Sequence, residues 1–320
     1  MKHVSSAATL FVLALLLAAG SSPTLGSDFS TVDIPGQPQT VLYGVSGNML
    51  VGSALDAGFT GSQGAIYDGS SWSLVNHPLA PSFTQFSGVS GTNVVGFYSD
   101  GLLWHGFIYT SGNWTALDHP LATIGTYAYG ISGTNVAGYY VNDTGQHGFF
   151  YNGADWTTLD APMANPGATM AFGLDGTNVV GSYTDATGSH GFLYNGSTWT
   201  TLDDPLGIHG TTVTGVFSNY VVGTYDDAGN NTHGFLYDGN RYVTLDVPGA
   251  AHGTLPNGIA GNRVVGSYMD AGNVNHGFIA ILDAVPEPAS GGCSWAARGC
   301  SRAAAVAPVS KRQPRQFPGR

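Results

Sequence analysis

Residues 173–205 read GLDGTNVVGSYTDATGSHGFLYNGSTWTTLDDP, and this stretch decides the fold. Together with Met170–Phe172 before it, it contains four short runs rich in β-branched and aromatic residues: MAFGLDG, NVVGSYT, HGFLYNG and STWTTLD. GTN, DATGS and NGST lie between the runs and supply residues that form tight turns. One extended segment about every 10 residues, followed by a turn, predicts a four-stranded β-unit.

This unit is repeated along the chain. Its opening glycine returns at spacings of 42 to 44 residues, at Gly44, Gly88, Gly130, Gly173, Gly215 and Gly258. Four strands in about 43 residues, repeated six times, predict an all-β fold, a six-bladed β-propeller of four-stranded blades. The alternative is an open β-solenoid, which would need capping at both ends.

The two ends of the repeated region favour the ring. The sixth unit, GIAGNRVVGSYMDAGNVNHGFIAILD at 258–283, passes into VPEP without a fourth strand. The surplus segment FSTVDIP at 29–35 has the sequence of a fourth strand. We therefore expect residues 29–35 to pair as the outermost strand of the last blade and to close the ring.

The chain divides into three regions. Lys2 and His3 precede the apolar run ATLFVLALLLAA and then small residues, which is typical of a secretory signal peptide over residues 1–26. The apolar run is shorter than the about 20 residues that span a bilayer. We expect residues 28–283 to form the propeller and residues 284–320 to form a P-E-P motif and a disordered basic tail.

The composition of the repeated region argues against nucleic-acid binding and against an internal disulfide. Residues 28–283 contain nineteen Asp, no Glu, and only Arg241 and Arg263 as basic residues apart from His. So acidic a body is not expected to bind nucleic acid. Cys293 and Cys300 lie outside it, so its stability must come from burial instead of an internal disulfide. We expect a monomer.

A histidine and an aspartate face each other across the hairpin of the third and fourth strands. Counting outward from the hairpin turn predicts one pair in each of five units. These pairs are His105/Asp118, His147/Asp160, His190/Asp203, His233/Asp246 and, across the ring closure, His276/Asp33. In unit one Gln63 faces Asn76, so the acid is missing from the one unit that lacks the imidazole. This joint change indicates contact between the two side chains.

We interpret these residues as structural cross-strand pairs. Equivalent positions on different blades lie too far apart to converge on one metal ion, whose bonds are near 2 Å. No unit supplies a recurrent nucleophilic serine beside the His–Asp pair. We therefore assign no catalytic, cofactor-binding or metal-binding residue.

Aromatic pairs flank the hairpin turns at Tyr109/Trp114, Tyr151/Trp156 and Tyr194/Trp199. They predict cross-strand packing, with a stacking platform for sugars as the alternative.

The loops before each histidine and after each D-x-P are expected at the same end of the ring. That end also carries Asp100, Asp143, Asp185, Asp226, Asp227 and Asp270, so it should be strongly acidic. Because Ca²⁺ prefers carboxylate oxygens as ligands, weak Ca²⁺ binding at this end is an alternative. No D-x-D-x-D-G loop occurs, and solvated turn residues are the preferred interpretation; no cofactor is assigned.

The motifs V-V-G-x-Y, H-G-F and aromatic-T-x-L-D resemble the HAF family of extracellular repeats over nearly the whole body, with H-G-F in place of H-A-F. The sequence V-P-E-P-A-S, with Pro286, Glu287 and Pro288, resembles the sorting signal of PEP-CTERM proteins. The second resemblance implies an exported protein of a Gram-negative bacterium, periplasmic, surface-exposed or secreted, associated with exopolysaccharide and biofilm. Neither resemblance implies a catalytic residue.

Two classes of function stay open. The first is a non-enzymatic surface or matrix protein that binds polysaccharide or a surface protein. The second is a carbohydrate-active hydrolase or lyase on the same scaffold. An enzyme should break the symmetry of the repeat with a carboxylate pair or nucleophile in one blade. No such departure is visible in the sequence, so we favour the binding or structural protein.

The tail predicts a lost membrane anchor. PEP-CTERM proteins continue into an apolar membrane segment and a basic end. This chain instead gives GGCSWAARGCSRAAAVAPVSKRQPRQFPGR, with six of its nine basic residues and no spanning segment. Reading the codons of Cys293 to Ala296 from the last base of the Gly292 codon gives Leu/Val/Met, Leu/Phe, Leu/Val/Met and Gly. A frameshift near Gly291 or Gly292 would therefore have destroyed the anchor and released the product.

Resequencing the gene tests this prediction. The shifted frame is expected to encode about 20 apolar residues and a basic end. An early stop codon or a polar frame would refute the frameshift.

Overall fold

The computed structural model describes residues 28–58, 60–80 and 82–282. The predicted signal peptide over residues 1–26, the Pro286-Glu287-Pro288 motif and the rest of the tail lie outside the described residues. Every regular element in the described ranges is a β-strand, which confirms the all-β fold class. None of these residues forms a helix long and apolar enough to cross a membrane.

The 24 strands form six antiparallel units of four strands. Unit one comprises β2 (Gln39–Ser46), β3 (Met49–Leu55), β4 (Ser62–Tyr67) and β5 (Trp72–Val75). Unit two comprises β6 (Phe83–Ser90), β7 (Asn93–Ser99), β8 (Trp104–Thr110) and β9 (Asn113–Ala116). Unit three comprises β10 (Gly125–Ser132), β11 (Asn135–Asn142), β12 (Gly145–Tyr151) and β13 (Trp156–Leu159). Unit four comprises β14 (Thr169–Asp175), β15 (Asn178–Thr184), β16 (Ser189–Tyr194) and β17 (Trp199–Leu202). Unit five comprises β18 (Gly210–Phe217), β19 (Tyr220–Asp226), β20 (Thr232–Tyr237) and β21 (Tyr242–Thr244). Unit six is β22 (Thr254–Ala260), β23 (Arg263–Met269), β24 (Asn275–Ile281) and, from the N-terminus, β1 (Asp28–Thr31).

Few backbone hydrogen bonds connect one unit to the next. Short parallel contacts, Ser62 with Phe83 and Trp104 with Gly125, join units one to three into a 12-stranded sheet. Units four to six are separate four-stranded sheets, so over the described residues the sheets do not merge into one closed sheet. Contacts between side chains and close backbone approaches hold the units together instead.

The N-terminal strand pairs with the last strand of the chain. β1 lies antiparallel to β24 with Thr31 opposite Phe278, as the counting of the repeat predicts. The strand ends at Thr31, which is shorter than the expected span to Pro35. Beyond it, Val32 N still donates to Gly277 O at 2.8 Å, and Gly277 N donates to the Asp33 carboxylate at 3.2 Å. The side chain of Asp33 has replaced a backbone partner there, which ends the ladder.

Each innermost strand carries a β-bulge directly before its opening glycine. A bulge redirects a side chain and bends the strand. The glycine then lies against the backbone of the next unit. A Cβ built on Gly130 would be 2.8 Å from Leu174 N, and one built on Gly258 would be 2.5 Å from Tyr43 O. Only glycine permits this approach, and the contact of Gly258 joins unit six to unit one.

A buried threonine links each outer strand to the next inner strand. The backbone N–H of the residue between Asp (Asn in unit one) and Pro donates to the threonine hydroxyl at 2.9 to 3.1 Å in all six cases. The donor and acceptor residues are Ile34/Thr40, His77/Thr84, His119/Thr126, Ala161/Thr169, Asp204/Thr211 and Val247/Thr254. Each threonine is at most 2% exposed. The Ile34/Thr40 bond connects the closing strand to unit one.

The hydrophobic core lies between the units. The phenylalanine of each H-G-F motif is fully buried: Phe107, Phe149, Phe192, Phe235 and Phe278. Phe149 of unit three packs with Val95 of unit two, and Phe192 of unit four packs with Ala137 of unit three. Because no unit buries its own face alone, the units stabilise one another.

We expect Gly258→Ala to lower the free energy of unfolding by about 1–3 kcal/mol, because its methyl group would overlap the backbone of unit one. Gly58→Ala is the control, since its Cβ would meet nothing closer than 3.6 Å, and we expect a change within about 0.5 kcal/mol. Urea denaturation measures both. Equal stabilities would contradict the contact between units six and one.

Candidate functional site

The structure brings all five predicted His–Asp pairs into hydrogen-bond distance through the histidine Nδ1 atom. The distances are His105–Asp118 3.0 Å, His147–Asp160 3.0 Å, His190–Asp203 2.8 Å, His233–Asp246 2.6 Å and His276–Asp33 2.9 Å. In four units the second carboxylate oxygen accepts the N–H of the glycine after the histidine. The aspartate therefore fixes the imidazole and ends the outer strand at the same time.

A second partner binds the other ring nitrogen, and sequence reasoning missed it. Nε2 lies 3.2 to 3.4 Å from an aspartate of the preceding loop in four units: Asp100, Asp185, Asp227 and Asp270. In unit three Asn142 stands at that position, and Thr144 Oγ1 lies 2.8 Å from His147 Nε2 instead. The available signal in the sequence was an aspartate five or six residues before the histidine in these four units.

Unit one has no equivalent network. Gln63 and Asn76 are both exposed, and no hydrogen bond joins their side chains in the part of the chain that the structure describes. Asp56, in the preceding loop, instead accepts hydrogen bonds from Gly58 and Thr60.

Carboxylates on both sides raise the pKa of four of the histidines above the ordinary value of 6.5. Burial lowers the pKa of His105 and His190, but the hydrogen bonds and charges of their two aspartates outweigh it. For His233 and His276 the hydrogen bond to the outer-strand aspartate is the largest influence on the pKa. The two aspartates therefore favour the protonated form of each of these imidazoles.

The loop aspartates shift in the opposite direction. Hydrogen bonds from Thr187 lower the pKa of Asp185 to about 2. Hydrogen bonds from Asn231 lower the pKa of Asp227 to about 2. Both acids are ionised at neutral pH, so neither is suited to act as a proton donor there.

Each histidine also stacks on a tyrosine of its own unit, with ring centroids 5.1 to 5.2 Å apart. In two units the tyrosine is covered on its other face by a histidine of the preceding unit. His77 lies 3.7 Å from Tyr98, and His119 lies 3.8 Å from Tyr140. Burial lowers the pKa of His77, and it lowers that of His119 to about 4.

One end of the molecule, which we call the histidine end, carries the loops before each third strand and after each outer strand. All nine described histidines lie there. So do thirteen of the eighteen described aspartates: Asp33, Asp56, Asp100, Asp118, Asp143, Asp160, Asp185, Asp203, Asp204, Asp226, Asp227, Asp246 and Asp270. Arg241 and Arg263, the only basic residues besides histidine in the described ranges, lie at the opposite end.

The acidic loops at the histidine end are occupied by internal hydrogen bonds. Asp143 and Asp226 accept from Thr123 and Thr232, and neither is a partner of a histidine. The described residues contain no group of three or more His, Cys, Asp or Glu placed to hold a metal ion.

The aromatic pairs beside the hairpin turns are packed between units. Tyr109 and Trp114 have ring centroids 4.6 Å apart and pack against the core cluster that contains Phe86 and Phe107. The pairs Tyr151/Trp156 and Tyr194/Trp199 pack against the next two clusters in the same way. Their rings pack against the hydrophobic core, which is the cross-strand packing expected from the sequence.

A central channel runs between the innermost strands. The six bulge residues line a cavity of about 180 Å³: Tyr43, Ser87, Tyr129, Phe172, Thr214 and Asn257. Below them, toward the end opposite the histidines, six aliphatic side chains surround a smaller space of about 60 Å³: Val45, Val89, Ile131, Leu174, Val216 and Ile259. Each of the six is at most 8% exposed, so the channel narrows to an apolar floor.

Aromatic rings break the symmetry of this channel on one side. We call Phe83, Phe97, Trp104, Tyr127, Tyr129, Tyr139 and Phe172 the aromatic crescent. They come from units two, three and four, and successive ring centroids from Phe83 through Trp104, Tyr127, Tyr139 and Tyr129 to Phe172 lie 4.7 to 5.8 Å apart. Sequence reasoning missed this cluster. The signal was the x of V-V-G-x-Y, which is Phe97 or Tyr139 in units two and three but Ser or Thr in the other units.

Comparison with known proteins supports the fold. No protein-family model matches the chain, and no curated protein does. The β-propeller domain of the Trilobed protease from Pyrococcus furiosus is 10% identical, with a TM-score of 0.51, over 76% of this chain and 79% of that one. The phage phi92 endosialidase is 10% identical, with a TM-score of 0.52, over 85% of this chain and 71% of that one. At such low identity the similarity concerns the fold alone: the chain has a β-propeller fold.

We expect the histidine contribution to stability to be greatest near pH 6.5. The four histidines with raised pKa bind protons more tightly in the folded chain than in the unfolded one. Their contribution to the free energy of unfolding is therefore fully present below about pH 6.5 and is lost as pH rises through their folded pKa values. His77 and His119 resist protonation when folded, so stability falls as pH drops from about 6.5 through their lowered pKa values.

Melting temperature against pH measures this balance. His190→Gln should flatten the decline above pH 6.5, and His119→Gln should flatten the decline below it. A melting temperature that rises steadily from about pH 6 to 8 would contradict the assignment.

Proposed function

We propose that this protein is a non-enzymatic, exported repeat protein of the cell surface or exopolysaccharide matrix, built as a closed six-bladed propeller that binds polysaccharide or a surface protein. The β-propeller fold and the six four-stranded units support this architecture. The predicted signal peptide and the resemblance to HAF and PEP-CTERM sequences support export and the matrix setting.

Contacts between the first and last units support a closed ring. Arg263 Nη1 of unit six donates to Gly47 O of unit one. Asn93 makes the same kind of contact with Gly133 O in the next unit. Asn257 Nδ2 donates to Leu42 O at 2.8 Å. Unit six therefore meets unit one much as unit two meets unit three.

The observation that favours binding over catalysis is the kind of residue by which the six units differ from one another. The polar network of aspartate and histidine is nearly the same in five units and is used to hold outer strands. The departure confined to one side consists of aromatic rings, with no carboxylate pair among them. Aromatic faces suit binding of a ligand, whereas glycoside hydrolysis needs two placed carboxyl groups.

A glycan array with the purified exported chain tests the proposal, and the same chain is incubated with each bound glycan to detect cleavage. We expect binding to a subset of glycans, an elution volume of a monomer, and no new reducing ends or unsaturated products. Product release from a bound glycan would establish the hydrolase or lyase alternative. Binding to no glycan, and to no surface protein in a pull-down from the matrix, would refute the binding function.

A further inference from the structure

The wider part of the channel lies toward the histidine end. Toward its opposite end it narrows to a space of about 60 Å³ between six buried aliphatic side chains. Above that floor, the cavity of about 180 Å³ has the volume of about six water molecules. This space is large enough for a sugar residue at the end of a chain and has an apolar base on which its ring can rest.

The aromatic crescent continues into this cavity. Tyr129 and Phe172 belong to both, and Tyr127 and Trp104 extend the aromatic surface outward toward the histidine end. Each of these four rings is only partly buried. Partly exposed rings at the mouth of a cavity can stack on the apolar face of a sugar or lie against a cation.

Polar groups lie on the remaining side of the cavity. Ser87, Thr214 and Asn257 line it together with Tyr43. Burial raises the pKa of Tyr43 to about 12, so its hydroxyl stays protonated and can donate a hydrogen bond. We call this side of the cavity the hydroxyl wall. Thr214 Oγ1 donates to Pro256 O and Asn257 Nδ2 donates to Leu42 O. These two side chains therefore offer acceptor atoms to a ligand beside the Tyr43 hydroxyl. Facing a wall of rings, the hydroxyl wall is suited to a ligand with donor groups around an apolar ring face.

Charge selects among such ligands. The histidine end carries thirteen aspartates against nine histidines and, over the described residues, no Lys or Arg, so its acidic groups outnumber its basic ones. Such a surface raises the local concentration of cations and repels carboxylate, sulfate or phosphate groups.

We propose that the mouth of the central channel binds a glycan bearing free amino groups, a polymer of cationic amino sugars. The aromatic crescent receives the sugar ring, the hydroxyl wall orients it, and the acidic histidine end attracts the ammonium groups. This assignment rests on the proposed function as a polysaccharide-binding protein and names its site and ligand class.

Calorimetry with three oligosaccharides of equal length tests it on the full exported chain. β-1,4-Linked glucosamine is the cationic probe, its N-acetylated form is the neutral match, and oligogalacturonate is the anionic one. We expect the glucosamine oligomer to bind at least about tenfold more tightly than the neutral form at low salt, and added salt to reduce the difference.

Variants locate the site. Trp104→Ala and Tyr129→Ser should each weaken binding about tenfold or more. Asp100→Asn, which removes one carboxylate charge from this end and alters the partner of His105 Nε2, should weaken it less. Leu206→Ala, an exposed side chain at the same end outside the cavity, and Asp68→Asn, an exposed acid at the opposite end, are the matched controls and should leave affinity unchanged. The melting temperature of each variant identifies any that fails to fold, and the remaining crescent variant then decides.

The outcomes separate this inference from the proposed function. Equal binding of cationic and neutral oligomers refutes the charge selection. Unchanged affinity in a folded crescent variant refutes the site. In either case, or if only the anionic oligomer binds, the protein is still a glycan-binding protein. If no glycan on the array binds, the polysaccharide-binding function fails and this inference fails with it.

Discussion

The structure depends on the close approach of neighbouring innermost strands at the opening glycine of each unit. A side chain there would overlap the backbone of the next unit, so the glycine sets the distance between units. At this distance the threonine hydroxyl of one unit reaches the backbone N–H before the proline of the previous one. The same distance lets the H-G-F phenylalanine fill the space between two sheets. The bulge that precedes the glycine also turns one residue of each unit into the channel, so the close approach that joins the units also determines which side chains line the channel.

The sequence alone predicted the features that depend on local pairing. Strand boundaries in unit four and the facing of His190 with Asp203 follow from the length of one hairpin turn. The pairing of β1 with β24 followed from counting strands, since one surplus strand matches one missing strand. The aspartates on Nε2 were harder to place, because loop conformation decides whether Asp226 or Asp227 reaches His233, and the structure chooses Asp227. The aromatic crescent depends on three units meeting in space. No single repeat contains it, so reading each repeat against a consensus conceals it.

The His–Asp pairs illustrate how a repeated polar motif differs from a catalytic one. Each outer-strand aspartate uses one oxygen for the imidazole and the other for a backbone N–H in four of the units. Its hydrogen-bonding capacity is therefore committed to holding a short edge strand of three or four residues. Unit one replaces the pair by Gln63 and Asn76 and keeps its outer strand. One unit can lose the network because its neighbours and its own ladder hold it in place.

The pairing of β1 with β24 also sets the order in which the molecule can fold. β1 must wait until about 250 later residues have been synthesised before its partner strand is available. Contacts so distant in sequence form slowly, because the chain loses much entropy before they form. Until then β24 has an unpaired edge, a site at which strands of other chains can add. The interval before β1 pairs with β24 is therefore the stage of folding at which this chain is most prone to aggregate through a strand edge.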